Sequence, residues 1–157
     1  MWYMKPVRVN IEVPYPREHV FDFLDVMSNH EPFTNHMLQD WEYSGPDRGI
    51  GSKAKVTVNA GGRSERVEIE VIAAERPSTI VEQNVSGGGK RIGTGTYMLE
   101  EIANGHTRIT FEYAWRRPLR SDRVAAPLVR AILRRGNQRA MERLAEQLAV
   151  HETAKAA

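Results

Sequence analysis

The chain offers few side chains that could act as metal ligands or nucleophiles. It has no cysteine, and its five histidines are dispersed along the sequence. His30 and His36 flank Glu31 at a separation that matches no zinc-protease spacing. We therefore predict that these two histidines lie in a surface loop. We also predict that the protein binds no metal and no cofactor, and that any catalysis is metal-independent.

Proton carriers are also scarce in the sequence. Strand alternation places a set of glutamates outward or at strand ends, namely Glu65, Glu68, Glu70, Glu82 and Glu112. General acid–base catalysis needs a proton carrier inside a pocket, so only tyrosines, or His30 and His36 at a cavity entrance, would remain. The glycine-rich run 87–96 lacks the order of a phosphate-binding loop and leads into a strand. We interpret it as a flexible hairpin.

A long amphipathic segment over 122–150 carries the most informative pattern. At about 100° per residue, its apolar face comprises Val129, Leu133, Gly136, Ala140 and Leu144, with Met141 and Leu148 at the edge. Asn137 falls on the same face. Glycine costs about 1 kcal/mol in a helix interior, and an unpaired buried amide costs about 1–3 kcal/mol. Either this helix closes over a cavity, or Asn137 is a satisfied polar residue at a tight packing point.

The composition predicts a single domain over residues 1–157. With 41% hydrophobic residues the chain can bury a core without disulfides, and it has no run of 18 apolar residues and no signal-peptide pattern. We expect a cytoplasmic protein whose residues 151–157 form a disordered tail.

Positive charge is concentrated near the end of the chain. Segment 116–143 contains nine arginines and only two acidic residues, whereas the net charge of the whole chain is only +2. Such a segment indicates either an anionic partner or a solvated helix face. Potential ion pairs between Arg139 and Glu142, and between Arg143 and Glu146, favour the solvated face.

The elements that position these residues follow from periodicity. Alternation predicts a first strand over 7–13, and helical spacing predicts a helix after Pro16 and a second short helix near 29–37. Six further strands separated by glycine-containing turns follow, the last three over about 79–86, 91–101 and 106–116. Short strands joined by tight turns predict an antiparallel meander, which the long helix then follows.

This order resembles the START/birch-pollen-allergen-like (SRPBCC) superfamily, in its polyketide cyclase/dehydrase and lipid-transport-like branch. The local resemblance lies in segments 13–26, 49–52, 93–100 and 105–113 and in the final helix. It implies an α+β helix-grip fold, in which a curved antiparallel sheet of about seven strands wraps around a long C-terminal helix. Two short helices would follow the first strand, and a cavity would lie between sheet and helix.

Alternation within that fold assigns the cavity lining and its rim. We predict inward side chains from four strands and the helix, with Val81 and Val85 beside Gln83. The predicted ligand-binding residues are Trp41, Tyr43, Gln83, Tyr97, Phe111, Tyr113, Trp115, Leu133, Gly136, Asn137, Ala140 and Met141. A basic rim would comprise Arg116, Arg117, Arg120 and Arg123.

Three functions fit this lining. The favoured one is binding or transfer of a hydrophobic small molecule such as a lipid, quinone, polyketide or isoprenoid. The second is a polyketide cyclase/dehydrase-like enzyme in which Tyr97, Tyr113 and Gln83 orient the substrate. The third is a module that docks on an anionic membrane or an acidic partner through segment 116–143. No nucleic-acid partner is expected.

Overall fold

The computed structural model describes residues 3–157 as one antiparallel sheet and a long C-terminal helix. The strands are β1 (Val7–Val13), β2 (Leu38–Ser44), β3 (Lys53–Ala60), β4 (Arg63–Glu75), β5 (Thr79–Ser86), β6 (Arg91–Glu101) and β7 (Thr107–Arg117). The helices are α1 (Arg17–Leu24), α2 (Glu31–Thr34), α3 (Arg120–Val124) and α4 (Ala126–Ala156). A 3-10 turn, Met27–His30, precedes α2.

The seven strands form a single open sheet in the order β1-β7-β6-β5-β4-β3-β2, with every neighbouring pair antiparallel. This arrangement confirms the predicted helix-grip fold. β5 is the central strand, and β1 and β2 are the edges. No helix within residues 3–157 is both long enough and apolar enough to cross a lipid bilayer.

The final helix differs from the prediction at both ends. It begins at Ala126, because Asp122 belongs to the separate short helix α3, where its carboxylate accepts a hydrogen bond from the Leu119 N–H at 2.9 Å. It continues to Ala156, through the segment that we expected to be a disordered tail. The aromatic rings of His151 and Phe23 pack edge to face, with 5.1 Å between their centroids, which anchors the last turns to α1.

Gly136 is explained by a close approach of the segment after α2. A Cβ atom at this position would overlap the Met37 Sδ, so a larger residue would require the flexible Met37 side chain to move. The His36 Nε2–H donates to the Gly136 carbonyl at 2.9 Å, and Arg143 donates to the Pro32 carbonyl at 3.0 Å. His36 therefore lies in a turn, as predicted, but its ring is half-buried and bonded to α4.

Arg143 is also not paired as the sequence predicts. Neither Arg139–Glu142 nor Arg143–Glu146 is among the ion pairs that the structure gives for residues 3–157, and Arg143 instead approaches His36 Nδ1 at 3.2 Å. Burial and the two neighbouring arginines, Arg139 and Arg143, lower the pKa of His36, against the effect of its bond to Gly136. Protonation of His36 would place a second cation against Arg143, so this contact requires the neutral ring.

The buried apolar side chains form two clusters. The larger cluster packs Ala140, Met141, Leu144 and Leu148 of α4 against α1 and the sheet. The smaller cluster contains Met4, Val7 and Trp115, and Tyr113, Ala126, Val129 and Leu133 pack against it. Along α4, the change from one cluster to the other falls between Leu133 and Ala140. Asn137 lies in that interval.

Candidate functional site

The concave face of the sheet is shaped by two glycines of β6. Gly93 and Gly95 leave room for the rings of Tyr113 and Phe111 to lie against the sheet: a Cβ at Gly95 would be 2.9 Å from Phe111 Cζ, and one at Gly93 would overlap Tyr113. Tyr97 follows on the same face of β6 and is buried, with its ring centroid 4.8 Å from that of Phe111. Aromatic rings from β6 and β7 therefore cover the sheet opposite α4.

The central strand presents the opposite face from the one that we predicted. Ile80, Glu82 and Asn84 lie directly across from Tyr97, Gly95 and Gly93 on the concave side. Gln83, together with its neighbours Val81 and Val85, therefore lies on the convex side. The assignment of Gln83 to the cavity is wrong, and so is the outward placement of Glu82.

Glu82 and His30 form a buried pair beneath the 3-10 turn that precedes α2. Only 6% of Glu82 and 3% of His30 are exposed to solvent, so the prediction of a surface histidine is wrong. Glu82 Oε1 lies 3.2 Å from His30 Nδ1, and His30 Nε2 lies 2.7 Å from the Leu24 carbonyl oxygen. Because a carbonyl oxygen only accepts, Nε2 carries a hydrogen and Nδ1 faces the carboxyl group.

The surroundings of this pair disfavour negative charge. The rings of Phe33 and Tyr97 pack against His30, with centroids 5.3 and 5.6 Å from its own. Burial raises the pKa of Glu82, and the neighbouring His30 opposes this effect. Burial also raises the pKa of Tyr97, with a further contribution from Glu82. The site therefore holds protons more firmly than the same groups would in water.

Three buried polar atoms of β5 and α4 have no hydrogen-bond partner among residues 3–157. They are Glu82 Oε1, Asn84 Oδ1 and Asn137 Nδ2. The contact of Glu82 Oε1 with His30 is close, but its direction lies outside hydrogen-bond geometry. Each such atom costs about 1–3 kcal/mol when it stays unpaired. The interpretation of Asn137 as a satisfied polar residue therefore does not hold for its amide nitrogen.

The other predicted lining residues divide into three groups. Phe111, Tyr113, Trp115, Leu133, Ala140 and Met141 belong to the apolar clusters that face α4 or the sheet. Trp41 is half-buried against the larger cluster, and its Nε1 is buried without a partner in the described chain. Tyr43, by contrast, is 45% exposed at the sheet edge, where its hydroxyl donates to Glu31 at 2.6 Å. Tyr43 and Gly136 do not belong to the interior lining.

A second polar cluster, which the sequence did not reveal, lies where β6 meets α3. Arg91 donates from Nε and Nη2 to the two oxygens of Asp122, each at 2.7 Å, and its Nη1 pairs with Glu65. Burial raises the pKa of Tyr113 to about 12, while Arg91 acts in the opposite direction. This cluster ties the short helix before α4 to the sheet beside the predicted rim.

The predicted rim is exposed at three of its four positions. Arg116, Arg117 and Arg120 are exposed, and Arg117 donates to the Gly89 carbonyl at 3.4 Å. Arg123 is half-buried, and its Nε has no partner among the described residues. The arginines thus occupy the end of the molecule where β7 passes into α3.

The structure also contains two open surface grooves. The larger, of about 800 Å³, runs between β1 and the outer side of α4 and is lined by Arg8, Arg130, Arg134, Arg135, Arg139 and Glu142, among others. The smaller, of about 220 Å³, lies beside Tyr43 and Lys53. Neither groove is located between the sheet and the buried face of α4, so the predicted interior cavity stays a prediction.

Sequence reasoning missed Glu82, His30 and Asn84 as interior polar residues. The valines at 81 and 85 indicated the wrong face of β5, because they are the more apolar set. A usable signal was present in β6, where the alternating Gly93, Gly95 and Tyr97 mark the crowded concave side. Pairing β5 with β6 in the observed register would have placed Glu82 inside.

A family model described as "Polyketide cyclase / dehydrase and lipid transport" matches residues 4–150. No curated protein matches the chain. Activities on polyketides and lipids share a hydrophobic substrate, so the fold is one that binds hydrophobic ligands.

Solved structures with the same fold have low sequence identity. TTHA0849 from Thermus thermophilus is 16% identical with a TM-score of 0.75, and the match covers 94% of this chain and 99% of that one. The Zhui aromatase/cyclase from a Streptomyces species is 12% identical with a TM-score of 0.72, covering 94% of both chains. Ara h 8.0201 is 17% identical with a TM-score of 0.61, covering 94% of this chain and 99% of that one.

Proposed function

Because the chain belongs to the polyketide cyclase/dehydrase and lipid transport family, we propose that it binds or transfers a hydrophobic small molecule between the sheet and α4. The main support for this proposal is that the buried apolar side chains form two clusters, which meet at Asn137. The amide nitrogen of this residue has no partner among residues 3–157. A ligand that hydrogen-bonds to this amide nitrogen would explain why a polar atom is kept at a buried, apolar position.

The lining defines the chemistry of the proposed ligand. Phe111, Tyr113 and Trp115 from β7 offer aromatic surface, whereas Asn84 and Asn137 each offer an amide group. An apolar body therefore packs against the rings, and one or two oxygen atoms accept or donate hydrogen bonds at the amides. Lipids, quinones, polyketides and isoprenoids all meet this description.

Peripheral contact with an anionic membrane is a secondary proposal. It is supported by the exposure of Arg116, Arg117 and Arg120 at one end of the molecule. Each arginine near an anionic surface contributes about 1 kcal/mol, and salt screens this attraction beyond about 8 Å. Such contact would bring the protein to a source of hydrophobic ligand without inserting a helix.

Native mass spectrometry of freshly purified protein tests the principal proposal. We expect a second species heavier than the 17.8 kDa chain by the mass of one small molecule, which organic solvent removes. The same preparation after extraction and refolding serves as the control, and added ligand should restore the heavier species. Protein that carries no small molecule, and that takes up none from a panel of lipids, quinones and isoprenoids, would contradict the proposal.

A further inference from the structure

Positive charge is concentrated in the open groove between β1 and the outer side of α4, which we call the basic groove. Its volume is about 800 Å³. Its charged lining consists of five arginines and one glutamate, namely Arg8, Arg130, Arg134, Arg135, Arg139 and Glu142. From Arg130 to Arg139 the helix advances about 14 Å, at about 1.5 Å per residue. The guanidinium groups of α4 therefore follow the length of the groove.

The exposed arginines of the basic groove on α4 lack acidic partners within the described chain. Arg134, Arg135 and Arg139 take part in none of the ion pairs found among residues 3–157. Exposed arginines elsewhere do pair, as Arg76 does with Asp22 at 2.8 Å. The missing partners are therefore a feature of this groove and not of exposed arginines in general.

This arrangement does not favour the stability of α4. Arg130 and Arg134 are four residues apart, and so are Arg135 and Arg139, which places like charges side by side on the helix surface. Like-charged pairs at this spacing destabilise a helix. An anion bound in the basic groove would relieve the repulsion. The arginines are thus better explained by an anionic partner than by folding.

The opposite wall of the basic groove is the free edge of the sheet. Within residues 3–157, β1 pairs only with β7, so the backbone N–H and C=O groups on its outer side have no strand partner. Arg8, Val9 and Asn10 line this wall, and the Gln138 amide donates to the Asn10 carbonyl at 3.5 Å. Arg130 donates to two carbonyl oxygens just before β1, at 3.1 and 3.3 Å. The groove therefore offers backbone groups on one wall and guanidinium groups on the other.

These two walls fit an extended acidic peptide better than they fit other polyanions. An extended chain adds to a free strand edge through backbone hydrogen bonds, and its carboxylates accept hydrogen bonds from arginine. Among residues 3–157, the lining includes no aromatic side chain on which a nucleic-acid base could stack. The groove is also concave, whereas a bilayer presents a broad surface. At about 3.3 Å per residue, an extended segment of four or five residues would span the arginines.

We propose that the basic groove is a docking site for an extended acidic segment of a partner protein. The carboxylates of the segment bind Arg134, Arg135 and Arg139, and its backbone lies along the outer edge of β1. This site is on the opposite side of α4 from the proposed ligand site, so the two sites are independent.

Fluorescence anisotropy of fluorescein-labelled decaglutamate provides the test. The wild-type protein should bind this peptide saturably, and the affinity should fall as salt is added, because salt screens exposed charges. The triple variant Arg134→Gln/Arg135→Gln/Arg139→Gln should bind at least about tenfold more weakly, which corresponds to about 1.4 kcal/mol over three exposed charge contacts. All three side chains are exposed, so the urea midpoint should stay unchanged.

The matched control removes the same charge from other surfaces. Arg48→Gln/Lys55→Gln/Lys90→Gln changes three exposed residues that do not line the basic groove, and it should retain peptide affinity within about twofold. Equal losses in the two triple variants would show that the peptide responds only to net charge, and would overturn the proposal. Uptake of Nile red, a neutral apolar dye, should be the same in both variants as in the wild type, because the proposed ligand site lies elsewhere.

Two other polyanions test the identity of the partner. Decathymidylate carries a similar charge without a peptide backbone, and phosphatidylglycerol vesicles present anionic headgroups on a broad surface. We expect both to bind more weakly than decaglutamate. Tighter binding of either one, lost in the groove variant, would assign the groove to a nucleic acid or a membrane and would overturn the proposal.

Nitrogen-15 NMR locates the bound peptide. Decaglutamate should shift the amide signals of Arg8 and Asn10 in β1 together with those of residues 134–139 in α4. Shifts that exclude β1 would contradict an extended peptide at the strand edge, and shifts that exclude α4 would contradict the role of the arginines.

Discussion

Replacing Arg91 with alanine should lower the free energy of unfolding by about 3–5 kcal/mol, the largest stability change that we expect from a polar residue in this chain. Arg91 binds both oxygens of Asp122, which is 5% exposed, and it also pairs with Glu65. Its removal leaves the Asp122 carboxylate buried without its cation, and it releases α3 from the sheet. Urea denaturation monitored by circular dichroism measures the change.

Arg108→Ala provides the matched control. Arg108 also contacts two carboxylates, Glu12 and Glu100, but it lies on the exposed side of the sheet. Surface ion pairs contribute little, because water and salt screen both charges. We expect a much smaller change in the urea midpoint for Arg108→Ala. Equal effects for Arg91→Ala and Arg108→Ala would show that burial of the Arg91–Asp122 pair is unimportant.

Asn137→Phe should abolish uptake of Nile red while the protein stays folded. Asn137 is buried between the two apolar clusters, so a benzyl side chain occupies the space that we assign to the ligand. Removal of an unpartnered amide saves about 1–3 kcal/mol, which offsets a packing cost of about 1–3 kcal/mol. We expect at least a tenfold loss of dye affinity, measured by fluorescence titration, with little change in the urea midpoint.

Arg135→Phe places the same side chain on the exposed outer side of α4, beside the groove along β1. It should leave dye affinity unchanged. Two results would contradict the interior site: dye uptake that survives Asn137→Phe, or dye uptake that Arg135→Phe removes. The second result would place the ligand in the outer groove.

The sequence predicted the fold closely because the relevant signals are local. Alternation of Val7, Val9, Ile11 and Val13 marks a half-buried strand, and Pro, Gly and Asn mark the turns. Their order then matches one known architecture. The face of each strand was also predicted correctly wherever the apolar residues dominate one side, as in β6 and β7, where Tyr97, Leu99, Ile109 and Trp115 are buried.

The site was predicted less well because its key features depend on cross-strand register. In β5, Val81 and Val85 form the more apolar set, yet pairing with β6 turns Ile80, Glu82 and Asn84 inward. Because side chains alternate along a strand, an error of one residue in assigning the inward face exchanges all of the inward side chains for the outward ones. Tyr43 was misplaced for a different reason: its ring stacks on that of Trp41, yet it stays 45% exposed on the edge strand β2.

Sequence patterns could not predict contacts between residues that are distant in the sequence. Gly136 was interpreted as a sign of a cavity, whereas it accommodates Met37 from a segment about 100 residues earlier. For the same reason, the sequence did not predict the hydrogen bonds by which His36 and Arg143 hold this segment against α4. Asn137, one residue further along, remains a candidate ligand contact, because its amide nitrogen is buried without a partner among residues 3–157.

The most direct test of the account is the location of a bound ligand in a crystal structure of the complex. The account predicts ligand density between β5, β6 and the buried face of α4, with a ligand oxygen within hydrogen-bond distance of Asn84 or Asn137 and the apolar part against Phe111 or Tyr113. Ligand density confined to the groove between β1 and the outer face of α4, with Asn137 still unpartnered and the interior closed, would contradict it.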